Sequence, residues 1–262
     1  MNVLVVGATG SIGRLVVAEA IREGHGVRAL VRDANKAKRL PPKAEWVVGD
    51  LSKPASLAKV TDGIGAVIFV HGADGGKAVS ENVDYGGVRN ILSELGSRQV
   101  RIALMTAIGV TNRTASYNRE TEVHDWKRRA ERLVRASGQP YTIVRPGWFD
   151  YNAPDQHRLV LLQGDRRQAG NSSDGVIARQ QLAEILVRSL SSDQALRKTF
   201  ELVAAHGPAP DDFDPLFAGL EPDPVGALDG VRDLANQPLA EEPERVRADL
   251  DIMQARKTPN PQ

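Results

Sequence analysis

The chain has 262 residues, of which 41% are hydrophobic, and its formal net charge is +1. A chain of this size can bury one large core, and a net charge near zero argues against nucleic acid or an anionic membrane as the main partner. The sequence contains no cysteine, which excludes disulfides, thiolate metal sites and a cysteine nucleophile, and we predict no metal site. No apolar run approaches about 18 residues and no basic segment precedes the first strand, so we expect a cytoplasmic protein.

The N-terminus has the pattern of a strand, a tight turn and a helix. An apolar run over residues 2–6 meets three glycines spaced three apart, Gly7, Gly10 and Gly13, and apolar residues at helical spacing follow over residues 12–20. In this arrangement the first glycine takes the turn, the second lets backbone approach a pyrophosphate, and the third lets the helix pack on the strand. The free N–H groups and the dipole of the helix start attract the anion. We therefore predict a dinucleotide site, with turn geometry alone as the other explanation of the glycines.

The residue after the second strand, residues 27–31, distinguishes the two nicotinamide dinucleotides. An acidic residue there binds the ribose 2′-hydroxyl of NAD, whereas an arginine suits the 2′-phosphate of NADP. Arg32 occupies the position, with Lys36 and Lys38 nearby. We predict NADP as the cofactor, while Asp33 keeps NAD open and a solvated basic helix start would also explain the cations.

The third and fourth strands, residues 45–48 and 66–70, both end in polar loops. Asp50 follows the third strand, where it is expected either to accept a hydrogen bond from the adenine amino group or to cap a helix. Residues 71–73 follow the fourth strand, and ligands of open α/β sheets bind outside such carboxyl ends. Gly72 would let backbone lie close to a ribose, whereas a lone histidine such as His71 in a polar loop is usually solvated.

The fifth strand, residues 101–105, ends at Thr106, and a crossover helix beginning near Asp84 precedes it. The next helix, predicted over residues 119–136, has one stripe at three- and four-residue spacing formed by Val123, Lys127, Ala130 and Val134. A lysine on such a stripe either snorkels or has a partner, because burying an unpaired ammonium is costly. The other faces carry Arg128, Arg129, Arg132 and Arg135, which we expect to be solvated.

The sixth strand spans residues 139–147, is stopped by Pro146, and is followed by Trp148, Phe149 and Tyr151, which form either an apolar wall beside the site or part of the core. A short strand near 159–162, a helix near 179–191 and a strand at 199–203 complete the pattern. We predict an α/β fold, a doubly wound parallel sheet (Rossmann fold) with strand order 3-2-1-4-5-6-7 and a small C-terminal substrate region. Residues 1–205 form the predicted domain, and the proline-rich and acidic residues 206–262 form a helical lid, an oligomer arm or a loosely packed appendage.

Five ordered motifs carry a family resemblance over about residues 1–205. They are Gly7-Ala8-Thr9-Gly10-Ser11-Ile12-Gly13, Leu30-Val31-Arg32-Asp33, Val123-His124-Asp125-Trp126-Lys127, Tyr141-Thr142-Ile143-Val144-Arg145-Pro146-Gly147 and Ile177-Ala178-Arg179. With them the chain resembles an atypical short-chain dehydrogenase/reductase, in the NAD(P)H-binding group that includes NmrA-like regulators and biliverdin-reductase-B-like flavin reductases.

The resemblance implies a catalytic site that this chain matches only in part. In that family a serine or threonine after the fifth strand binds the substrate carbonyl, a tyrosine donates a proton, and a lysine four residues on holds the nicotinamide ribose. Thr106 and Lys127 match the first and last of these, but Val123 stands at the tyrosine position. We favour Tyr117 as the proton donor, with His124, Asp125, Tyr151 and His157 as alternatives. The predicted cofactor contacts are Gly7, Thr9, Gly10, Ser11, Ile12, Gly13, Arg32, Asp50, Leu51, Val70, His71, Gly72, Thr106, Lys127, Pro146 and Gly147.

Two classes of function agree with this pattern. The first is an NADPH-dependent reductase of a quinone, flavin, polyketide-like or other conjugated substrate, which can take its proton from water. The second is a dinucleotide-binding sensor that has lost catalysis, and an NAD(P)-dependent epimerase is a weaker third. We expect a small-molecule partner, namely an aromatic or conjugated substrate, and no nucleic acid or membrane partner. The expected assembly is a monomer or homodimer.

Overall fold

The computed structural model describes residues 1–72 and 75–257 of the chain. Residue 73 of the predicted loop after the fourth strand and residues 258–262 of the predicted extension lie outside this part.

Within the described residues, ten strands form a single sheet of order β3-β2-β1-β4-β5-β6-β10-β9-β7, with β8 paired to β10. Neighbouring strands are parallel from β3 through β6 to β10, whereas β8 and β9 run antiparallel to β10. The predicted doubly wound parallel sheet is therefore confirmed. The strands are β1 (Asn2–Val6), β2 (Gly26–Val31), β3 (Glu45–Val48), β4 (Ala66–Phe69), β5 (Arg101–Met105), β6 (Tyr141–Pro146), β7 (Trp148–Phe149), β8 (Arg158–Leu162), β9 (Val176–Ile177) and β10 (Lys198–Ala205).

Helices flank both faces of this sheet. They are α1 (Ser11–Arg22), α2 (Ala34–Ala37), α3 (Lys77–Val79), α4 (Gly86–Leu95), α5 (Ser116–Thr121), α6 (Val123–Ala136), α7 (Arg179–Ser189), α8 (Asp214–Ala218) and α9 (Glu244–Lys257). A π-helical segment, Ser80–Tyr85, joins α3 to α4, so the crossover helix starts earlier than the sequence suggests. The helix predicted over 119–136 is broken at Glu122, whose left-handed φ of 54° separates α5 from α6. In the described part of the chain, none of these helices has the length and apolar character needed to cross a bilayer.

Alternation along the central strands creates two apolar layers. Val3 and Val5 of β1 point to the face covered by α1 and α7, where they join Val16 in one buried cluster. Leu4 of β1 points to the opposite face, where it joins Leu133 of α6 in a second cluster. Both faces of β1 are thus buried, as its continuous apolar run predicts.

The C-terminal segment from residue 206 contributes to both apolar clusters, with Phe217 and Leu220 in the first and the residues of α9 in the second. Val246, Leu250 and Met253 of α9 are buried in the same apolar cluster as Leu133 of α6. Of the three alternatives considered for this segment, a loosely packed appendage does not fit these contacts, because Val246, Leu250 and Met253 are part of the buried core.

The prediction that the arginines of α6 are solvated is wrong. Arg128, Arg129, Arg132 and Arg135 are 0%, 6%, 1% and 5% exposed, respectively. Their guanidinium groups pair with carboxylates of the C-terminal segment, namely Asp229 for Arg128 and Arg132, Glu242 for Arg129 and Arg132, and Asp223 for Arg135. The sequence pattern of α6 alone does not show that another part of the chain covers its polar face, so the arginines resemble an ordinary solvated surface.

Candidate functional site

Two glycines of the β1–α1 turn are required by its backbone. Gly7 has a left-handed φ of 93°, and a Cβ atom there would lie 2.7 Å from the backbone nitrogen of His71. A Cβ atom on Gly13 would lie 2.0 Å from the carbonyl oxygen of Gly7. Gly7 therefore allows the turn to lie against the end of β4, and Gly13 allows α1 to pack against the turn, as their spacing predicts.

The start of α1 is open to a ligand. Gly10 is the N-cap residue and provides no side-chain cap, and the first turn contains no acidic residue. A Cβ atom on Gly10 would meet only the carbonyl oxygen of Gly7, at 3.3 Å, and both Gly10 and Ser11 are exposed. Thr9 is half-buried and Ile12 is buried. The free N–H groups, the helix dipole and the space in front of Gly10 fit the pyrophosphate of a dinucleotide.

The loops after β2 and β3 carry the residues predicted to contact the adenosine half of the cofactor. Arg32 is exposed at the end of β2. The carboxylate of Asp33 accepts a hydrogen bond from the backbone nitrogen of Asn35 at 2.8 Å and so caps α2. Asp50 accepts hydrogen bonds from the backbone nitrogen and hydroxyl of Ser52, at 3.0 and 2.8 Å, and these bonds lower the pKa of Asp50. One oxygen of Asp50 is therefore already engaged in a local turn, as the capping alternative predicts.

Leu51 and Val70 lie behind this edge of the sheet. Both side chains are buried. The carbonyl oxygen of Leu51 accepts a hydrogen bond from the side chain of Asn90 at 2.7 Å, and the backbone nitrogen of Val70 donates to Val6 at 2.9 Å. Their predicted contact with cofactor would come from the loop backbone, and it stays a prediction.

His71 is buried, which differs from the solvated state usual for a loop histidine. Burial lowers the pKa of His71 to about 4, so the imidazole is neutral at physiological pH. Nε2 lies 3.0 Å from the carbonyl oxygen of Val83 and donates its hydrogen there. Nδ1 is then a buried acceptor without a partner among residues 1–72 and 75–257. Gly72 beside it is exposed, so this end of β4 offers both a free acceptor and accessible backbone.

Lys127 lies at the same end of β4. Its Nζ donates to Oδ1 of Asp84 at 2.7 Å, and the two side chains are 14% and 1% exposed. A Cβ atom on Gly72 would lie 3.9 Å from Nζ, so the ammonium is adjacent to the backbone where a nicotinamide ribose is predicted. Asp84 is the partner that a lysine on an apolar stripe requires. An ammonium has three hydrogens, and this ion pair uses one of them.

Thr106 is oriented away from its predicted role. Its hydroxyl donates to Oε1 of Glu131 at 2.7 Å inside the protein. Burial alone would raise the pKa of Glu131, but Arg145 and Arg135 outweigh it and hold the pKa at about 2. Because a hydroxyl has a single hydrogen and Glu131 stays ionised, Thr106 in this arrangement has only lone pairs left for a ligand. The predicted donation from Thr106 to a substrate carbonyl does not fit this geometry.

The position expected to hold a tyrosine provides no proton. Val123 is 6% exposed and begins α6. His124 is half-buried, burial lowers its pKa, and its Nδ1 has no partner within the described residues. Tyr117 is 54% exposed, and its ring packs edge-on against His124 with centroids 6.2 Å apart. Tyr117 of α5 and His124 of α6 therefore lie together, ten and three residues before Lys127 in the chain.

The other predicted proton donors are less suitably placed. Asp125 accepts hydrogen bonds from Asn118 at 3.0 Å and from Arg113 at 3.3 Å, so its carboxylate acts as an acceptor. Tyr151 is 69% exposed, and His157 is exposed just before β8.

Close packing requires a glycine at position 147, in the loop after β6. A Cβ atom on Gly147 would lie 2.5 Å from the carbonyl oxygen of Gly175, so the residue lets β7 pack beside β9. The carbonyl oxygen of Pro146 accepts a hydrogen bond from the backbone nitrogen of Ile108 at 3.0 Å. The loops after β5 and β6 are joined in this way, and the cofactor contacts predicted for both residues stay predictions.

Of the aromatic residues after β6, one packs in the core and two provide exposed apolar surface. Phe149 is half-buried and packs against the core, with the guanidinium of Arg179 4.9 Å from its ring centre. Trp148 is 38% exposed. With the exposed Tyr151, Trp148 supplies apolar surface that a planar ligand can contact.

Sequence reasoning missed two carboxylates that determine this site, Asp84 and Glu131. Asp84 belongs to the π-helical segment and is 43 residues from Lys127 in the chain. A signal for Asp84 exists, because an inward-facing lysine demands an acidic partner, but the sequence does not say which acid supplies it. Glu131 lies one turn beyond Lys127 on α6 and resembles a member of an exposed charged stripe.

Comparison with known proteins identifies the family. A family model described as NAD(P)H-binding matches residues 7–193. The chain belongs to this NAD(P)H-binding family. The match includes the β1–α1 turn, Lys127 and the sixth strand, and the resemblance inferred from the sequence motifs is confirmed.

Individual relatives are distant. The chain is 27% identical to sanguinarine reductase from Eschscholzia californica, over 83% of this chain and 95% of that protein. It is 28% identical to the photosystem II assembly factor Ycf39 from Synechocystis, over 78% of this chain and 63% of that protein. The solved structure of the oxidoreductase YlbE from Lactococcus lactis is similar in fold, with a TM-score of 0.65 at 19% identity, over 83% of this chain and 95% of that one.

Proposed function

We propose that the chain is an NADPH-dependent oxidoreductase that delivers hydride to a conjugated ring or carbonyl of a small molecule. One observation carries the proposal: α1 begins at the end of β1 with no side-chain cap and no acidic residue in its first turn. A helix start in this state favours an anion, and the open space in front of Gly10 is where a pyrophosphate fits. Membership of an NAD(P)H-binding family and similarity to sanguinarine reductase support the same function.

The preference for NADPH over NADH is proposed from the charges after β2. Arg32 is exposed, whereas the carboxylate of Asp33 is engaged in capping α2. A guanidinium pairs well with the 2′-phosphate of NADP, and a carboxylate is needed for the ribose hydroxyls of NAD.

In the proposed reaction, the residues of this chain bind and orient NADPH and the substrate. NADPH, when bound, supplies the hydride. The N–H groups at the start of α1 hold the pyrophosphate, and Lys127, held by Asp84, donates its remaining hydrogens to the nicotinamide ribose. The exposed Trp148 offers a flat surface to the substrate.

The missing tyrosine at position 123 favours a conjugated acceptor. A flavin or quinone that accepts hydride can take its proton from water, so an apolar side chain at position 123 does not prevent the reaction. Tyr117, exposed beside His124, is the protein group proposed to assist. A Tyr117→Phe variant should lower turnover by less than about tenfold if water is the main donor.

The test is NADPH oxidation followed by absorbance with a panel of quinones and flavins, together with titration of both dinucleotides. We expect multiple turnovers with at least one acceptor. Arg32→Ala should weaken NADPH binding by about tenfold or more and leave NADH binding nearly unchanged, because the lost contact is charge-assisted. Lys38→Ala, which removes a nearby cation, is the matched control. Equal affinity of the parent protein for NADPH and NADH would overturn the cofactor preference.

A non-catalytic NADP(H) sensor is the second candidate function, and one observation favours it. The Thr106 hydroxyl and the Lys127 ammonium both bond to internal carboxylates, and Val123 carries no proton. The relative from Synechocystis is an assembly factor. Tight NADPH binding without turnover on any acceptor of the panel would favour the sensor and contradict the reductase.

The remaining expectations concern location and assembly. A cytoplasmic location and a monomer or homodimer stay proposals. Light scattering of the purified chain with and without NADPH would measure the assembly state.

A further inference from the structure

A cavity of about 380 Å³ lies against the loop that follows β5. Its walls come from the loop after β5, from β8 with the turn that follows it, and from the C-terminal segment. The apolar part includes Ile108, Leu161, Leu162 and Leu220. Ile108 is two residues beyond Thr106 in the chain. The volume is in the range of sites that hold small organic molecules.

The polar part of this cavity has an excess of positive charge. Arg166 and Arg167 line it, and neither guanidinium forms an ion pair within residues 1–72 and 75–257. Arg232 also lines it but pairs with Glu221, so these two charges offset each other. Arg167 donates one hydrogen bond, to the carbonyl oxygen of Asp174 at 3.3 Å, which leaves its other guanidinium hydrogens available to a ligand.

Glu201 is the other acidic residue of the cavity wall. Burial raises the pKa of Glu201 to about 7, so this carboxyl is only about half ionised at neutral pH. The charged groups that face it are Arg145, which donates to it at 3.3 Å, together with Asp165 and Asp233. The cationic character of the cavity is not cancelled by this acid.

The turn that precedes the two arginines is held in place by buried hydrogen bonds. Gly164 and Asp165 both have left-handed φ values, 94° and 49°. Asp165 is fully buried, and its carboxylate accepts hydrogen bonds from the backbone nitrogens of Gly109 at 2.6 Å and Thr111 at 2.7 Å. An aspartate tolerates this conformation better than most residues, and here the hydrogen bonds of its carboxylate hold the turn in place. Asp165 thus fixes the direction of Arg166 relative to the loop after β5.

The C-terminal segment closes the cavity through a specific attachment. Gln163 donates to the carbonyl oxygen of Glu221 at 2.9 Å and accepts from its backbone nitrogen at 3.0 Å. These two bonds attach residues 219–221 to the end of β8. The wall formed by Leu220 therefore has a defined position.

We propose that this cavity binds a small organic anion, an apolar ring that carries a carboxylate or sulfonate. Arg166 and Arg167 bind the anionic group, and the leucines and Ile108 contact the ring. A second cavity, of about 410 Å³ near α7, provides the contrast, because the described residues that line it include Glu184 and no arginine. The proposal concerns binding and is independent of whether the chain reduces its ligand.

The test compares two fluorescent probes of nearly equal shape, 8-anilinonaphthalene-1-sulfonate and the neutral N-phenyl-1-naphthylamine. Titrations are done with saturating NADP⁺, so that the β1–α1 turn does not bind the sulfonate. We expect the parent protein to bind the sulfonate, and Arg166→Gln/Arg167→Gln to weaken that binding by about tenfold while the neutral probe is affected by less than about twofold. Both arginines are exposed, so this variant is expected to fold, and its melting temperature checks that.

The matched control is Arg158→Gln, which removes an exposed arginine from the first residue of β8, outside the cavity. It should leave the sulfonate affinity within about twofold of the parent value. The proposal is overturned if the parent does not bind the sulfonate, if the double variant binds it normally, or if both probes weaken equally. Loss of NADP⁺ binding would be detected separately, by titration of the dinucleotide, and bears on the proposed function instead.

Discussion

The two halves of the sheet use charge in opposite ways. Around the β1–α1 turn, the core is apolar and the charged group near the proposed site, Arg32, is exposed and free for a ligand. Around α6 and β6, charged groups are buried and paired with one another, as Glu131 and Arg145 show at 2.7 Å with both side chains 0% exposed. The difference teaches that a charged residue in this fold can be assigned to binding only after its internal partners are known.

The buried half depends on complete pairing. Arg145 also bonds to Asp233 of the C-terminal segment at 2.7 Å and to Glu201 of β10 at 3.3 Å. The desolvation of such groups is offset only while every partner is present. Removing one member therefore leaves the others as uncompensated buried charges.

The largest expected effect follows from breaking this network. Arg145→Met should reduce the free energy of unfolding by about 3 to 5 kcal/mol, because Glu131 and Asp233 lose a shared cation inside the protein. Urea unfolding measures the change. Arg232→Met, which breaks the exposed pair with Glu221, should cost less than about 1 kcal/mol. Equal losses in the two variants would show that burial does not distinguish these ion pairs.

At the β1–α1 turn, a substitution is expected to reduce binding without reducing stability. Gly10→Val should reduce NADPH affinity by about 100-fold or more, because its side chain occupies the space of the pyrophosphate. The fold should persist, since a Cβ atom there meets only Gly7. Circular dichroism and NADPH titration are measured on the same sample. Gly65→Val, at the opposite end of the sheet before β4, is the control, and normal affinity of a folded Gly10→Val protein would contradict the pyrophosphate site.

Substitution of Lys127 tests both kinds of role, because this lysine forms a buried ion pair and is also proposed to bind the cofactor. Lys127→Met should destabilise the protein because Asp84 stays buried without its cation, and Lys127→Met/Asp84→Asn should recover most of that stability. Both variants should bind NADPH about tenfold more weakly, which corresponds to about 1.4 kcal/mol, if the ammonium also holds the ribose. Melting with and without NADPH separates the effects. A double variant with full stability and unchanged NADPH affinity would assign Lys127 to structure alone.

The smallest expected effect concerns Glu201 and pH. Its pKa in the folded protein, about 7, is above the ordinary value of 4.5, so the folded state holds this proton more tightly than the unfolded state. The stability from this group is complete below the unfolded pKa and is lost as pH rises through the folded pKa. Between pH 6 and pH 8 the parent should lose about 1 kcal/mol that Glu201→Gln does not lose. Parallel pH profiles of the two proteins would show that Glu201 is ionised in the fold.

Local sequence patterns were sufficient to predict the backbone of the β1–α1 turn. The strand, the glycine turn and the helix are neighbours in sequence, so Gly7, Gly10 and Gly13 indicate the backbone geometry directly. The alternation of apolar runs and helical stripes likewise predicted the parallel sheet, and the order 3-2-1-4-5-6 of its first six strands is confirmed, whereas the strand next to β6 is β10, the last of the chain. The roles of individual residues in the site stay predictions.

The features that the sequence did not predict depend on partners that are distant in the chain. Whether Arg132 is solvated depends on Glu242, which is 110 residues away, and the periodicity of α6 is the same in either case. The orientation of Thr106 depends on Glu131 of another element. Patterns within a helix or strand carry information about its own faces, and they carry none about which distant segment covers them.

The pairing of α6 with residues beyond 220 has a consequence for how the chain is made. A ribosome delivers the strand and helix around Gly7 first, and their contacts are close in sequence, so they can form early. Arg128 and Arg132 find Asp229 only about 100 residues later. Until that segment emerges, the helix presents four guanidinium groups to solvent over an incomplete core. Nascent chains arrested before residue 220 should therefore be more sensitive to proteases at α6 than at α1.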